Sequence, residues 1–139
     1  MIEDLVVKPQ KIIKNEKGNI LHALKKDEEQ FNGFGEAYFS LIKYNAIKAW
    51  RRHNKATMNL IVPFGKIKLV VLDDRKINTI KQEIFISVDN YVRVTIPPKL
   101  WTGFIGLSKD TSIVLNVTDI QHDPEEKDTR DINHFDYEW

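Results

Sequence analysis

Ala46-Ile-Lys-Ala-Trp-Arg-Arg-His-Asn-Lys55 is the stretch from which the rest of the chain is best read. Ile47 to His53 has strand length, and in an extended chain residues two apart share a face. Ile47, Ala49, Arg51 and His53 are therefore expected on one side, and Lys48, Trp50 and Arg52 on the other. A guanidinium stays protonated and attracts anions, whereas an imidazole titrates near neutrality and can accept a proton. If this face is an interior one, Arg51 and His53 mark a pocket for an anionic ligand with a base beside it. A buried guanidinium is costly without a partner. That partner is either a ligand's phosphate or sugar, or an internal carboxylate such as Asp73 or Asp119.

Further along lies Asn59-Leu-Ile-Val-Pro-Phe-Gly65-Lys-Ile-Lys-Leu-Val-Val-Leu-Asp-Asp, a strand, a turn at Gly65 and a second strand. Pro63 predicts that the first strand ends there or lies at an edge. Gly35 to Lys43 and Ser112 to Thr118 also have strand length, and Tyr91 to Ile96 alternates cleanly, with Val92, Val94 and Ile96 on one face. Lys11-Ile-Ile, a turn around Gly18 and Ile20-Leu form a hairpin, and Lys25 to Gln30 is a charged loop or a single helical turn. Asp123-Pro124-Glu-Glu predicts a turn with an acidic start to a short helix. Short strands divided by turn signals indicate an all-β sandwich or barrel.

The chain has 139 residues, which fits one domain around one core. The expected barrel runs from about residue 8 to 124, followed by a polar tail over 125–139. Twenty-one Lys and Arg against 20 Asp and Glu leave a net charge of +1, so no global field favours nucleic acid or membrane, and anion selectivity must be local. There is no cysteine, hence no disulfide framework pointing to secretion. Neither a basic, apolar leader nor an apolar run near eighteen residues is present, so a cytoplasmic protein is expected.

With these elements placed, the first stretch resembles the first motif of the cupins, in which two histidines one residue apart, a later Glu and a hairpin Gly set three metal ligands inside a small antiparallel barrel. Here Arg51 and His53 take the histidine positions, Thr57 or Met58 the Glu position, and Gly65 the glycine. One imidazole and no carboxylate do not make the usual three-ligand site, so no metal is expected. Thr95-Ile-Pro-Pro-Lys-Leu-Trp-Thr-Gly-Phe-Ile-Gly-Leu-Ser108 resembles the "IPP-x-x-x-H-G-F-x-x-LS" segment of dTDP-4-dehydrorhamnose 3,5-epimerases. Asn116 to Glu126 resembles their "TD-Y-Y-x-P-E", and Lys48-Ala-Trp-Arg51 their "R-G-L-H". The shorter dTDP-sugar 3,4-ketoisomerases are similar too, with "H-x-H" where this chain has Arg51 and His53.

The resemblance implies an RmlC-like cupin, a jelly-roll barrel that is usually a homodimer and binds a nucleotide-linked sugar, most often a dTDP-sugar, in its mouth. It implies a cofactor-free reaction in surface-polysaccharide biosynthesis: removal of the proton next to a C4 ketone, then return of a proton elsewhere. The family's catalytic residues transfer incompletely. Its base falls on Arg51, a second histidine on Thr102, and its acid tyrosine on Leu115. His53 is then the candidate base, or else a hydrogen-bonded barrel histidine. Arg51 would hold the enolate oxygen or a phosphate, and Tyr38 or Tyr44 would replace the acid. Lys55, Arg93 and Lys99 are diphosphate candidates or solvated cations. Trp101 and Trp50 either stack on a base or sugar or belong to the core. Asn59, Asn116, Thr102 and Asp119 complete the candidate binding set. The alternative is a non-catalytic cupin that keeps the sugar pocket without the chemistry.

Overall fold

A computed structural model describes residues 1–139 as β-strands and connecting turns with one 3-10 turn, Pro124–Glu126, and no α-helix. The strands are β1 (Val6–Pro9), β2 (Ile12–Ile13), β3 (Ile20–Leu21), β4 (Glu36–Ile42), β5 (Ile47–His53), β6 (Met58–Phe64), β7 (Lys66–Asp73), β8 (Ile80–Ser87), β9 (Val92–Ile96), β10 (Trp101–Gly106), β11 (Ser112–Thr118) and β12 (Lys127–Thr129). One sheet has the order β1-β9-β6-β11-β4, the other β12-β5-β10-β7-β8, and β2 pairs with β3. Every named pairing is antiparallel. This is the jelly-roll architecture of the RmlC-like cupins.

The inward residues of both sheets build one core. Leu60, Val62, Val94, Ile96 and Val114 from the first sheet meet Ile67, Leu69, Val71, Ile84 and Ile86 from the second. Each such side chain contributes roughly 1.5–3 kcal/mol on burial, and Ile2 and Leu5 join the same cluster from the N-terminus. Gly65 joins β6 to β7 at φ 84°, a conformation that a side chain resists, and an added Cβ would run into Ser112.

Several expectations change against this frame. Pro63 does not end its strand, since β6 continues to Phe64, but the pairing of β6 with β9 stops at Ile61, so one side of the strand is free at Pro63 as at an edge. It is tolerated where the β11–β6 register shifts between Ile113 and Leu115, an irregularity that removes the need for its missing N–H. Residues 125–139 are not a polar tail outside the barrel. Lys127–Thr129 form β12 against β5, and Phe135, Tyr137 and Trp139 pack on Trp50, Val70, Leu72 and Trp101.

The alternation read for β5 also fails, for one local reason. Arg51 pairs with Thr102 and Ala49 with Gly103, so one extra residue on β5 lies across from the Thr102/Gly103 step. Such a bulge inverts the facing of everything on one side of it. Ala49 leaves the face of Arg51 and His53 and packs against the outer aromatic cluster, while Lys48 joins Arg51 and His53 along the interior cavity.

Candidate functional site

At one end of the barrel the two sheets part around a cavity of about 300 Å³. Tyr38 and Ser40 border it from β4, Lys48, Ala49, Trp50, Arg51 and His53 from β5, Met58 from β6, Thr102 and Phe104 from β10, Asn116 from β11 and Thr129 from β12. All three residues expected to act on substrate, His53, Arg51 and Tyr38, line it, as do Thr102 and Asn116.

His53 is buried, and its two ring nitrogens have different surroundings. Nδ1 lies 2.5 Å from Oε1 of Glu126, while Nε2 is buried without a protein partner. The other carboxylate oxygen of Glu126 accepts the backbone N–H groups of Asn54 at 3.0 Å, Lys55 at 2.9 Å and Ala56 at 3.1 Å. Burial by itself would push the Glu126 carboxyl up, but the His53 hydrogen bond and these amides outweigh it and hold it below its ordinary value. An ionised Glu126 only accepts, so it holds a proton on Nδ1, and in the neutral ring this leaves Nε2 as the acceptor.

Arg51 and Lys48 are exposed at the opening, and neither forms an ion pair. The internal carboxylates considered for Arg51 are engaged elsewhere. Asp73 bonds Arg75 at 2.8 Å, and Asp119 accepts the N–H of Thr57 at 2.8 Å. Tyr38 stands opposite Asn116 across the β4–β11 pair. Burial pushes its phenol up, with the positive charge of Arg51 offsetting part of that, so it keeps its proton at neutral pH. Leu115 pairs with Phe39, which is 65 % exposed on the outer surface. The residue beside it that faces the cavity is Asn116, whose amide donates to Ser40 Oγ at 3.1 Å.

Other expected site residues lie elsewhere, each for a structural reason. Arg93 is fully buried on the opposite side of the first sheet, where it donates to Ala23 O at 2.8 Å and to Glu28 at 2.8 Å. Asn59, beside it, donates to Gln30 O at 3.0 Å and accepts from Thr95 at 2.6 Å. Both hold the segment from 22 to 30 over the sheet. Trp101 is buried under the C-terminal segment, donates to Asp74 at 3.0 Å and has the Arg52 guanidinium 4.6 Å from its ring, so it offers no stacking surface. Trp50 borders the cavity, but its indole is buried under the C-terminal segment and donates to Ile132 O at 3.1 Å. The Lys55 side chain and Asp119 are not in the cavity lining, and Tyr44 is half exposed outside it.

Sequence reasoning missed Glu126, and it offered Lys48 an inward place only together with Arg52, in a strand shifted by one residue. The signal for Glu126 was its position at the end of the Pro124-Glu-Glu turn, which Asp123 caps by accepting the N–H of Glu125 at 3.0 Å. Lys48 was hidden by the bulge. No three His, Cys, Asp or Glu side chains converge to form a metal site, and no helix is long and apolar enough to cross a membrane.

No protein-family model matches the chain. The probable low-salt glycan biosynthesis epimerase Agl13 of Haloferax volcanii is 24 % identical over 132 residues, covering 91 % of this chain and 85 % of that protein. The crystal structure of a dTDP-4-dehydrorhamnose 3,5-epimerase from Bacillus anthracis, with TDP and PPi bound, superposes with a TM-score of 0.82 at 18 % identity over 94 % of this chain and 80 % of that one. A dTDP sugar isomerase from Desulfovibrio desulfuricans G20 superposes with a TM-score of 0.91 and 33 % identity, covering 95 % of this chain and 87 % of that one. One residue in three shared over nearly the whole length, on the same barrel, means that the chain belongs to the RmlC-like cupin family of dTDP-sugar isomerases and epimerases.

Proposed function

We propose that the protein is a cofactor-free epimerase or isomerase of a nucleotide-linked 4-keto-6-deoxy sugar, with dTDP as the nucleotide, in surface-polysaccharide synthesis. The observation that carries this reading is the buried His53, held by Glu126 at Nδ1 and unpartnered at Nε2 inside a cavity that also presents Arg51, Lys48 and Tyr38. Nε2 takes the proton from the carbon next to the ketone, and the C–H electron pair becomes the enolate. Glu126 stabilises the imidazolium that forms. Tyr38, with its proton retained, is the donor available to the enolate oxygen, because the Asn116 amide already donates to Ser40 and the Thr102 hydroxyl to Arg51 O. The proton is then returned to the other face of that carbon or to its neighbour. Arg51 and Lys48 are too solvated to serve a dry enolate and instead suit the diphosphate. The names of the dTDP sugar isomerase and of the TDP-bound epimerase support that class of ligand.

Incubation in D₂O with a panel of such keto sugars tests the reading. Deuterium is expected at one carbon next to the ketone, and His53→Ala is expected to slow its entry by roughly 10²–10⁴-fold. Binding without exchange would replace this reading with the non-catalytic pocket, which the replacements at Arg51, Thr102 and Leu115 favour.

The reading includes a cytoplasmic setting and pairing with a second copy of the chain. On the outer face of the first sheet, Phe39, Leu41 and Phe64 are 65 %, 60 % and 54 % exposed, and Ile113 and Leu115 lie between them by cross-strand pairing. Three such side chains present on the order of 100 Å² apiece. With their neighbours they are of the order of the apolar share of roughly 800 Å² per partner in a standard interface. The patch carries no charge, so an equally apolar surface is its fitting partner, and a two-fold contact supplies one from the same patch.

A further inference from the structure

The extra residue in β5 needs something to hold it. Trp50 sits at the bulge, and its N–H and C=O bond Arg130 at 3.1 and 3.0 Å rather than β10. Its indole donates to Ile132 O, and its ring lies 5.4 Å from Phe135, 5.8 Å from Tyr137 and 5.2 Å from Trp139. Trp139 in turn closes over Gly103, where a Cβ would come within 2.9 Å of its ring and 2.7 Å of the Ala49 side chain. The aromatic crossing thus grips the irregularity from outside, at the step that sends Lys48 into the cavity. His53 is anchored separately, by Glu126 on its ring and by the Lys99 N–H on its carbonyl at 2.6 Å.

Building on the proposed function, we infer that Phe135, Tyr137 and Trp139 form a positioning element that sets where Lys48 points, and so sets affinity for the diphosphate without setting the rate of proton transfer. Loosening the crossing lets β5 drift toward regular alternation, in which Lys48 turns outward. The dyad of His53 and Glu126 stays in place.

Titration of dTDP and steady-state kinetics on Trp139→Ala, beside wild type and Trp139→Phe, test this. The expected result is a rise of about tenfold in both Kd for dTDP and KM, a factor worth about 1.4 kcal/mol, with kcat within twofold and near-wild-type values restored in Trp139→Phe. Unchanged Kd and KM in Trp139→Ala, or a fall in kcat with KM unchanged, overturn the inference. If Trp139→Ala does not fold, Phe135→Leu is read by the same ratio. Wild-type protein that binds no dTDP removes the proposed function and this inference with it; wild type that binds while the variants match it removes the inference alone.

Discussion

His53 is one residue with two chemically distinct nitrogens, and the difference is imposed by Glu126. An amide at position 126 would keep the shape but carry no charge to balance an imidazolium, and one end of it would clash in polarity with the backbone N–H groups of Asn54, Lys55 and Ala56. Glu126→Gln is therefore expected to slow deuterium entry by roughly 10- to 100-fold, the equivalent of a charge-assisted hydrogen bond of about 1.5–3 kcal/mol, and to lower the thermal midpoint. Exchange rates and calorimetry on the same sample check both. Unaltered exchange in a folded Glu126→Gln protein would remove Glu126 from the mechanism. At this scale the sequence pointed to three cavity residues, His53 and Arg51 by residue chemistry and period-two spacing and Tyr38 as a phenol near them. It did not reveal Glu126, because the pair is separated by 73 positions and meets only through folding.

Among the elements, the strands with strong alternation or a glycine corner, β4, β5, β6, β7, β9 and β11, were legible nearly to their ends. β8 and β10 were not read from pattern. β8 alternates apolar residues with Lys81 and Glu83, as a solvated outer strand does, and β10 carries two glycines and a threonine that weaken any strand signal. Arg93 was misassigned because a cation on a strand looks solvated until a loop closes over it. That closure makes a pH prediction. The Arg93 hydrogen bond, with Lys8 and the Lys25 N–H assisting, lowers Glu28 from 4.5 to about 2. A carboxyl depressed by folding stabilises the native state fully above its unfolded value, and that contribution is lost as the pH falls from 4.5 toward 2. Urea midpoints are expected to drop across this window in wild type and to change less in Glu28→Gln, which starts lower at pH 7. Parallel pH profiles for the two proteins would mean that this contact does not govern acid stability.

For the whole molecule, the coverings are uneven. Residues 22–30 cover one part of the first sheet's outer face, the aromatic crossing covers the second sheet, and the face of β4 and β11 stays bare. β4 is also an edge strand, with Phe39 and Leu41 outward and Tyr38 and Ser40 inward, so what covers the outside steadies part of the cavity wall. Sedimentation is expected to give twice the 16.3 kDa chain mass for wild type and the single-chain mass for Phe39→Asp, with an unchanged circular dichroism spectrum. A wild type that sediments as one chain at about 100 µM, or a Phe39→Asp variant that still pairs, would rule this face out.

Glu126 and the aromatic crossing follow both five-stranded sheets' other strands in the chain. Nine of the ten strands in the two five-stranded sheets precede the carboxylate that pairs with His53 and the cover for Trp50 and Trp101, and a domain folds as a unit. A barrel without the segment that begins at Glu126 would thus be sticky on one side and would leave His53 without its partner, and the docking of that one segment ends both conditions together.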